Sequence, residues 1–146
     1  MLRRVPGVFL SPGTMLVGDC GYASRFEDIG FIPGAAVMSR VISHPAPGLF
    51  TIDAGVKGIA ADPAGVRGII AGYEDEAEVV SQSEEHWVFK LKENSALNRP
   101  PLGTVLYVLP THVCPTSALY PAAVAVKERK ISGLWEVTAR NRKLTI

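Results

Sequence analysis

The residues with the most chemistry in them stand two positions apart. They are His112 and Cys114, within Pro110-Thr111-His112-Val113-Cys114-Pro115-Thr116. The chain has 146 residues, with three histidines and two cysteines, so this pairing draws on a scarce stock. In an extended chain, side chains at i and i+2 leave from one face. An imidazole nitrogen and a thiolate offered together suit zinc, whereas magnesium and calcium take oxygen. The flanking prolines fix φ, and Pro115 biases Cys114 away from the helical region. The sequence therefore predicts an extended metal-binding pair. Two ligands are too few for a structural zinc site, which closes with about four. Two ligands plus open positions suit a catalytic metal that admits substrate or water. The other reading of Cys114 is a small packed side chain, since cysteine is among the most buried residue types.

Ser83-Glu84-Glu85-His86 sets two carboxylates beside an imidazole at the expected start of a strand. His86 reads either as a third ligand or group held near the metal, or as part of an exposed charged turn. Asp53-Ala54-Gly55-Val56-Lys57 reads as a sharp turn, with Asp53 capping backbone N–H groups and Gly55 at positive φ. Lys57 has the chemistry for a Schiff base but reads as a solvated loop lysine. Trp135 is expected in the core, and Arg140 either binds a carboxylate or covers a sheet edge. Cys20 reads as a packed residue. No nucleophile–base pair stands at a recognisable spacing, and no glycine-rich loop is placed to cradle a phosphate.

The elements that must position these residues are strands. Fourteen glycines and eleven prolines punctuate short β-branched runs, the pattern of many short strands. The runs are 14–17, 35–43, 49–53, 66–73, 77–82, 86–91, 103–109, 122–128 and 134–139. Those at 66–73, 77–82 and 86–91 read as a meander. The nearly all-apolar 103–109 reads as central, and the last two as a hairpin turning at 129–133. Helical signal is confined to a turn or two at Tyr22 to Ile29, stopped by Gly30, and a single turn at Ala118 to Tyr120. The expected fold is all-β, a small barrel or sandwich with Greek-key-like connections and one or two short helical turns.

Composition narrows the function. The apolar fraction of 47% and charged fraction of 20% are those of a globular domain with a real core. A net charge of +1 without a block of like charges gives no footprint for nucleic acid or an anionic membrane. Arg3-Arg4 and 127–130 are short basic runs that read as solvated edges. No apolar run approaches the ~20 residues of a membrane span, and the N-terminus does not read as a signal peptide. Two cysteines demand no disulfide, which is consistent with a reducing, cytoplasmic setting.

Four motifs occur in order: 50–57 (Phe-Thr-Ile-Asp-Ala-Gly-Val-Lys), Ser83-Glu84-Glu85-His86, Pro110 to Thr116 with His112-x-Cys114, and 135–140 (Trp-Glu-Val-Thr-Ala-Arg). Together they resemble the C-terminal domain of the D-serine dehydratase and D-threonine aldolase-like family, pyridoxal-phosphate enzymes of the alanine racemase fold type. The resemblance runs from about Pro12 to Arg140. It implies that His112 and Cys114 are the two protein ligands of a divalent metal. Cysteine at the second position implies zinc and the dehydratase side of the family; the aldolases tend to carry aspartate there. His86 matches the histidine of the Glu-Glu-His run and is implied to be site-adjacent. Trp87 departs from the pattern, since a small glycine usually follows that histidine.

The resemblance also implies what this chain does not carry. Pyridoxal phosphate is held by a lysine on an N-terminal (β/α)8 barrel, for which 146 residues are too few. Residues 1–146 thus read as a single β-domain, the C-terminal domain of a longer enzyme, and Arg3-Arg4-Val5 reads like mid-protein sequence. The implied partners are that barrel domain, a second subunit completing a homodimer, and a D-amino acid. The implied reaction is elimination from D-serine to pyruvate and ammonia, with zinc activating the β-hydroxyl. The alternatives are retro-aldol cleavage of β-hydroxy D-amino acids and a stand-alone, non-enzymatic β-domain.

Overall fold

The structure is a computed structural model, which describes residues 6–7, 12–141 and 143. The Arg3-Arg4 run lies outside the described residues. Six strands form one antiparallel sheet: β1 (Val37–Ser43), β2 (Leu49–Ile52), β3 (Gly68–Ile70), β4 (Ala77–Gln82), β5 (Trp87–Leu91) and β6 (Val105–Pro110). Their order in space is β3-β6-β1-β2-β5-β4. The first strand therefore pairs with both the second and the sixth, a non-sequential order of the kind expected. Central placement of 103–109 is borne out, because β6 lies between β3 and β1. The meander is only half right. β4 pairs with β5, but β3 lies at the opposite edge, on β6.

Alternation explains the packing. Val37, Ser39 and Val41 face inward from β1, while Met38, Arg40 and Ile42 face out, the period of a half-buried strand. The inward residues of β2, β5 and β6 meet them in one core containing Phe50, Ile52, Trp87, Phe89, Leu106 and Val108. Register shifts at Val41/Ser43 and Val79/Ser81 bend the sheet. The curl brings its two edges towards one another. Arg67 Nη1, just before β3, donates to Gln82 Oε1 at the end of β4 at 2.7 Å. The result is a curled half-barrel, in keeping with the all-β expectation.

Five expectations need correction. Residues 14–17 do not form a strand. Thr14–Leu16 is a 3-10 turn closed by Gly18, whose N–H donates to Thr14 O at 2.7 Å and whose φ is +75°. Gly55 does not take positive φ. It is needed for close approach, because a Cβ there would collide with the backbone of Ser83 and Glu84. Asp53 caps no N–H of its own turn; its Oδ1 accepts from Arg40 N at 2.7 Å and Ser39 Oγ at 2.8 Å across the strand pair. Trp135 is 71% exposed, not core. It lies on β8 (Lys130–Glu136), which pairs only with β7 (Ala122–Lys127) in a separate two-stranded sheet. Val124, Val126, Ile131 and Leu134 of that hairpin are exposed as well. Its turn falls at Glu128–Arg129, both at positive φ, earlier than the 129–133 expected.

Two short helices complete the chain. α1 (Cys20–Arg25) runs into a 3-10 turn at Glu27–Ile29 that stops at Gly30 in the left-handed region, as its C-cap role requires. α2 (Val113–Ala118) follows β6 directly and replaces the turn expected at 118–120.

Candidate metal centre

His112 and Cys114 sit where β6 gives way to α2. His112 is the N-cap, with extended φ −135° and ψ 101°. Cys114 is the second residue of the helix, so the pair does not lie on one face of an extended chain. Pro115 fails to keep Cys114 out of the helix for a physical reason. It occupies the first turn, where its missing N–H is no loss, and tertiary contacts hold the helix start. Val113 N donates to Asp19 Oδ2 at 2.9 Å. Ser117 Oγ donates to Val113 O at 2.8 Å. The His112 side chain makes no cap bond, so its imidazole stays available.

Asp19 is the residue the sequence reading missed. It is 1% exposed, a burial that a carboxylate tolerates only when its oxygens are paired. Oδ1 accepts from Tyr22 N at 2.8 Å as the N-cap of α1, and Oδ2 takes the Val113 N–H. One side chain thereby locks two helix starts together. The local signal was present, since an aspartate three residues before a helical Tyr22 is an N-cap pattern. The second bond was invisible because its partner is 94 positions away. The same N-terminal strap reaches Cys114 through Thr14, with Oγ1 and Sγ 3.0 Å apart. It also presses on Thr111, whose carbonyl would collide with any Cβ at Gly21.

On the other side of His112 stands Asp62, with Oδ2 2.5 Å from Nδ1. A cleft of about 200 Å3 opens here, lined among others by Tyr22, Arg25, Asp62, Pro63, Thr111 and His112. The donor chemistry of the centre fits a soft divalent ion such as zinc: one imidazole and one exposed thiol, both accessible. Among the described residues no group of three His, Cys, Asp or Glu side chains stands close enough to hold a metal. The structure does not bring His86 into such a group with His112 and Cys114. It is exposed in the β4–β5 turn, where its carbonyl accepts from Ser83 N at 2.8 Å. Lys57 is exposed and paired with Glu84 and Glu85 at 3.0 and 3.2 Å. The hydrogen bonds that its ammonium donates to Glu84 and then Glu85 push it above the ordinary lysine range, the opposite of what a Schiff-base amine needs. Arg140 Nε donates to Ala118 O at 3.2 Å, tying the chain end to α2.

The two thiols differ. Burial first, then the charges of Asp19 and Glu74, pushes the Cys20 thiol up, while Cys114 is exposed. A soluble maleimide is therefore expected to label one thiol in the native chain, Cys114, and two after unfolding. Mass spectrometry showing rapid native labelling of Cys20 would contradict this packing. Among the described residues no helix is long and apolar enough to cross a membrane.

Comparison with known proteins agrees with this architecture. A family model described as a putative serine dehydratase domain matches residues 34–126. A D-threonine aldolase of Arthrobacter sp is 30% identical over 125 residues, covering 84% of this chain and 31% of that protein. The chain thus spans about a third of the length of this relative. An uncharacterized protein of Mycobacterium tuberculosis is 30% identical over 129 residues, covering 86% of this chain and 92% of that one. The crystal structure of D-threonine aldolase from Filomicrobium marinum superposes with a TM-score of 0.66 at 27% identity, over 75% of this chain and 29% of that one. D-threo-3-hydroxyaspartate dehydratase from Delftia sp. HT23 does so at 0.61 and 25% identity, over 76% of this chain and 35% of that one. Two solved variants of a D-threo-3-hydroxyaspartate dehydratase replace a cysteine, in a metal-free form, and a histidine two positions before it, each by alanine. With residues 34–126 matched by the family model and a 30% identical relative covered over 92% of its length, the chain belongs to the family of the putative serine dehydratase domain.

Proposed function

We propose that this chain is the metal-carrying β-domain of a D-amino-acid lyase, with His112 and Cys114 as zinc ligands. The observation that carries the reading is the pair itself at the start of α2: an imidazole that makes no cap bond and lines a cleft, and an exposed thiol two residues on. The histidine and cysteine replaced in the solved dehydratase variants have the same spacing and order. Two ligands leave coordination positions for water or substrate. When bound, zinc supplies Lewis acidity that polarises a β-hydroxyl so that it can leave or lose its proton. The chain's own residues hold the seat. Asp19 fixes the start of α2, Thr14 contacts the Cys114 sulfur, and Tyr22 and Arg25 form part of the cleft wall.

Pyridoxal phosphate does not fit this chain. Lys57 is ion-paired and protonated, and no glycine-rich phosphate loop is present. In this reading the cofactor belongs to a separate (β/α)8 barrel domain, and a second subunit completes a cytoplasmic homodimer. Cys114 favours a dehydratase acting on D-serine. The Arthrobacter aldolase supports retro-aldol cleavage of a β-hydroxy D-amino acid as the second outcome. The Mycobacterium relative, matched over 92% of its length, supports a further possibility, a β-domain of this size that binds metal without a barrel.

The test is zinc binding by the chain, beside His112→Ala and Cys114→Ala. Each variant is expected to bind zinc at least about 100-fold more weakly, since each removes half of the protein ligand set. Undiminished affinity in both would sink the assignment. D-Serine and D-threonine offered to barrel-containing protein with pyridoxal phosphate then separate the outcomes. Pyruvate and ammonia mark the dehydratase, glycine and acetaldehyde the aldolase.

A further inference from the structure

We infer that Asp62 is a positioning residue: it captures Nδ1–H of His112 and so commits Nε2 to the metal. The inference rests on the zinc reading above, but its geometric half stands without metal. A neutral imidazole has one donor nitrogen and one acceptor nitrogen, and an ionised carboxylate only accepts. With Asp62 Oδ2 2.5 Å from Nδ1, that nitrogen must carry the proton, so the lone pair lies on Nε2. Free histidine favours the opposite form, with the proton on Nε2. Asp62 therefore inverts the intrinsic preference, and it does so before any ion arrives. A carboxylate on the far nitrogen also makes the ligating nitrogen more basic, as in the carboxylate–histidine–zinc arrangement.

The contact is built into the fold. Asp62 follows Ala60, which is buried and whose N–H donates to Thr116 Oγ1 at 3.0 Å. The Thr116 hydroxyl donates in turn to the carbonyl of His112 at 2.8 Å. One buried hydroxyl thus pins the loop bearing Asp62 to the backbone bearing His112. Pro63 restricts Asp62 to extended conformations, which stiffens the approach. Among the described residues Asp62 makes no other side-chain hydrogen bond or ion pair. Among the same residues it caps no helix and neutralises no lysine or arginine. Both residues line the cleft, where Nε2 is the nitrogen left to meet a ligand. A plain surface ion pair would contribute about 0–1 kcal/mol and would have no bearing on the tautomer.

The experiment has a metal-free and a metal-loaded arm, on the whole chain with Asp62→Ala and Asp62→Asn. In the metal-free arm, long-range proton–nitrogen NMR of the His112 ring is recorded above the ordinary histidine range of about 6.5. The expected result is Nδ1–H in the wild type and in Asp62→Asn, whose side-chain carbonyl still accepts. In Asp62→Ala, Nε2–H is expected to dominate. In the loaded arm, zinc affinity is expected to fall about 10–100-fold in Asp62→Ala and less in Asp62→Asn. A wild-type Nε2–H form, or an Asp62→Ala variant with unchanged tautomer and unchanged affinity, overturns the inference. If the tautomer changes as expected while His112→Ala binds zinc like the wild type, the metal reading has failed and the hold of Asp62 on the ring has not. Asp62 is exposed, so both variants are expected to keep the wild-type unfolding midpoint.

Discussion

Asp19→Ala is expected to destabilise the chain by roughly 2–6 kcal/mol, measured by urea unfolding. The estimate follows from what the substitution strands. The N–H groups of Tyr22 and Val113 each lose a charged acceptor inside the fold, at about 1–3 kcal/mol apiece. Asp19→Asn keeps one acceptor oxygen but turns an amide NH2 towards the second N–H, so it is expected to fall between. The loss should also reach the metal. With Val113 N unheld, the first turn of α2 frays and Cys114 loses its fixed position, so zinc affinity should drop although no ligand has been touched. An Asp19→Ala variant within about 1 kcal/mol of wild type would show that the two helix starts are held by something else.

Trp87→Ala is expected to cost about 3–5 kcal/mol. Trp87 is 1% exposed and opens an aromatic row at the heart of the half-barrel. Its ring lies 4.9 Å from Phe89, which stacks on Phe50 at 5.6 Å, and Phe50 meets Tyr73 at 6.0 Å. Removing the indole leaves a void that strands on both sides cannot collapse into. Trp87→Phe should be much milder, about 1.5 kcal/mol or less. It keeps most of the apolar face and removes the Nε1–H, which is buried without a partner among the described residues. The two variants together separate volume from polarity: equal losses in thermal unfolding would contradict this account. The tryptophan is also where the chain departs from the usual glycine of the resembling family. Here the large ring fills the core, and nothing in its position calls for a role in chemistry.

How much of this was legible in the sequence depends on range. The six sheet strands were readable because β-branched runs of the right length are bounded by glycine and proline, and alternation such as Val37, Ser39, Val41 marks the buried face. Thr14 to Val17 has the same local look. It fails as a strand because Gly18 turns the chain and Leu16 and Val17 find no partner to cover them. Trp135 misled in the other direction: a large apolar residue on a strand is core only if something packs on that strand, and pairing is not written in residues 134–139. At the centre, the ligand types and their spacing were visible, but their conformation was not. The helix at Val113 depends on Asp19, and the orientation of His112 on Asp62, neither of which is near in sequence.

Those separations carry a consequence for how the protein assembles. The Asp19–Val113 and Thr14–Cys114 contacts close loops of 94 and 100 positions. On a bare chain, closing a loop of that size costs roughly 4 kcal/mol of entropy beyond a constant. Once the sheet has formed, β6 already stands in place and most of that cost has been met. The strap that carries Thr14, Asp19 and Gly21 should therefore dock last in folding and open first in the native state, as a unit of lower local stability than the half-barrel. An ion held by His112 and Cys114 would favour the docked strap by mass action. Amide exchange in the strap would then slow as zinc is added, while exchange in β1, β2 and β5 would stay as it was.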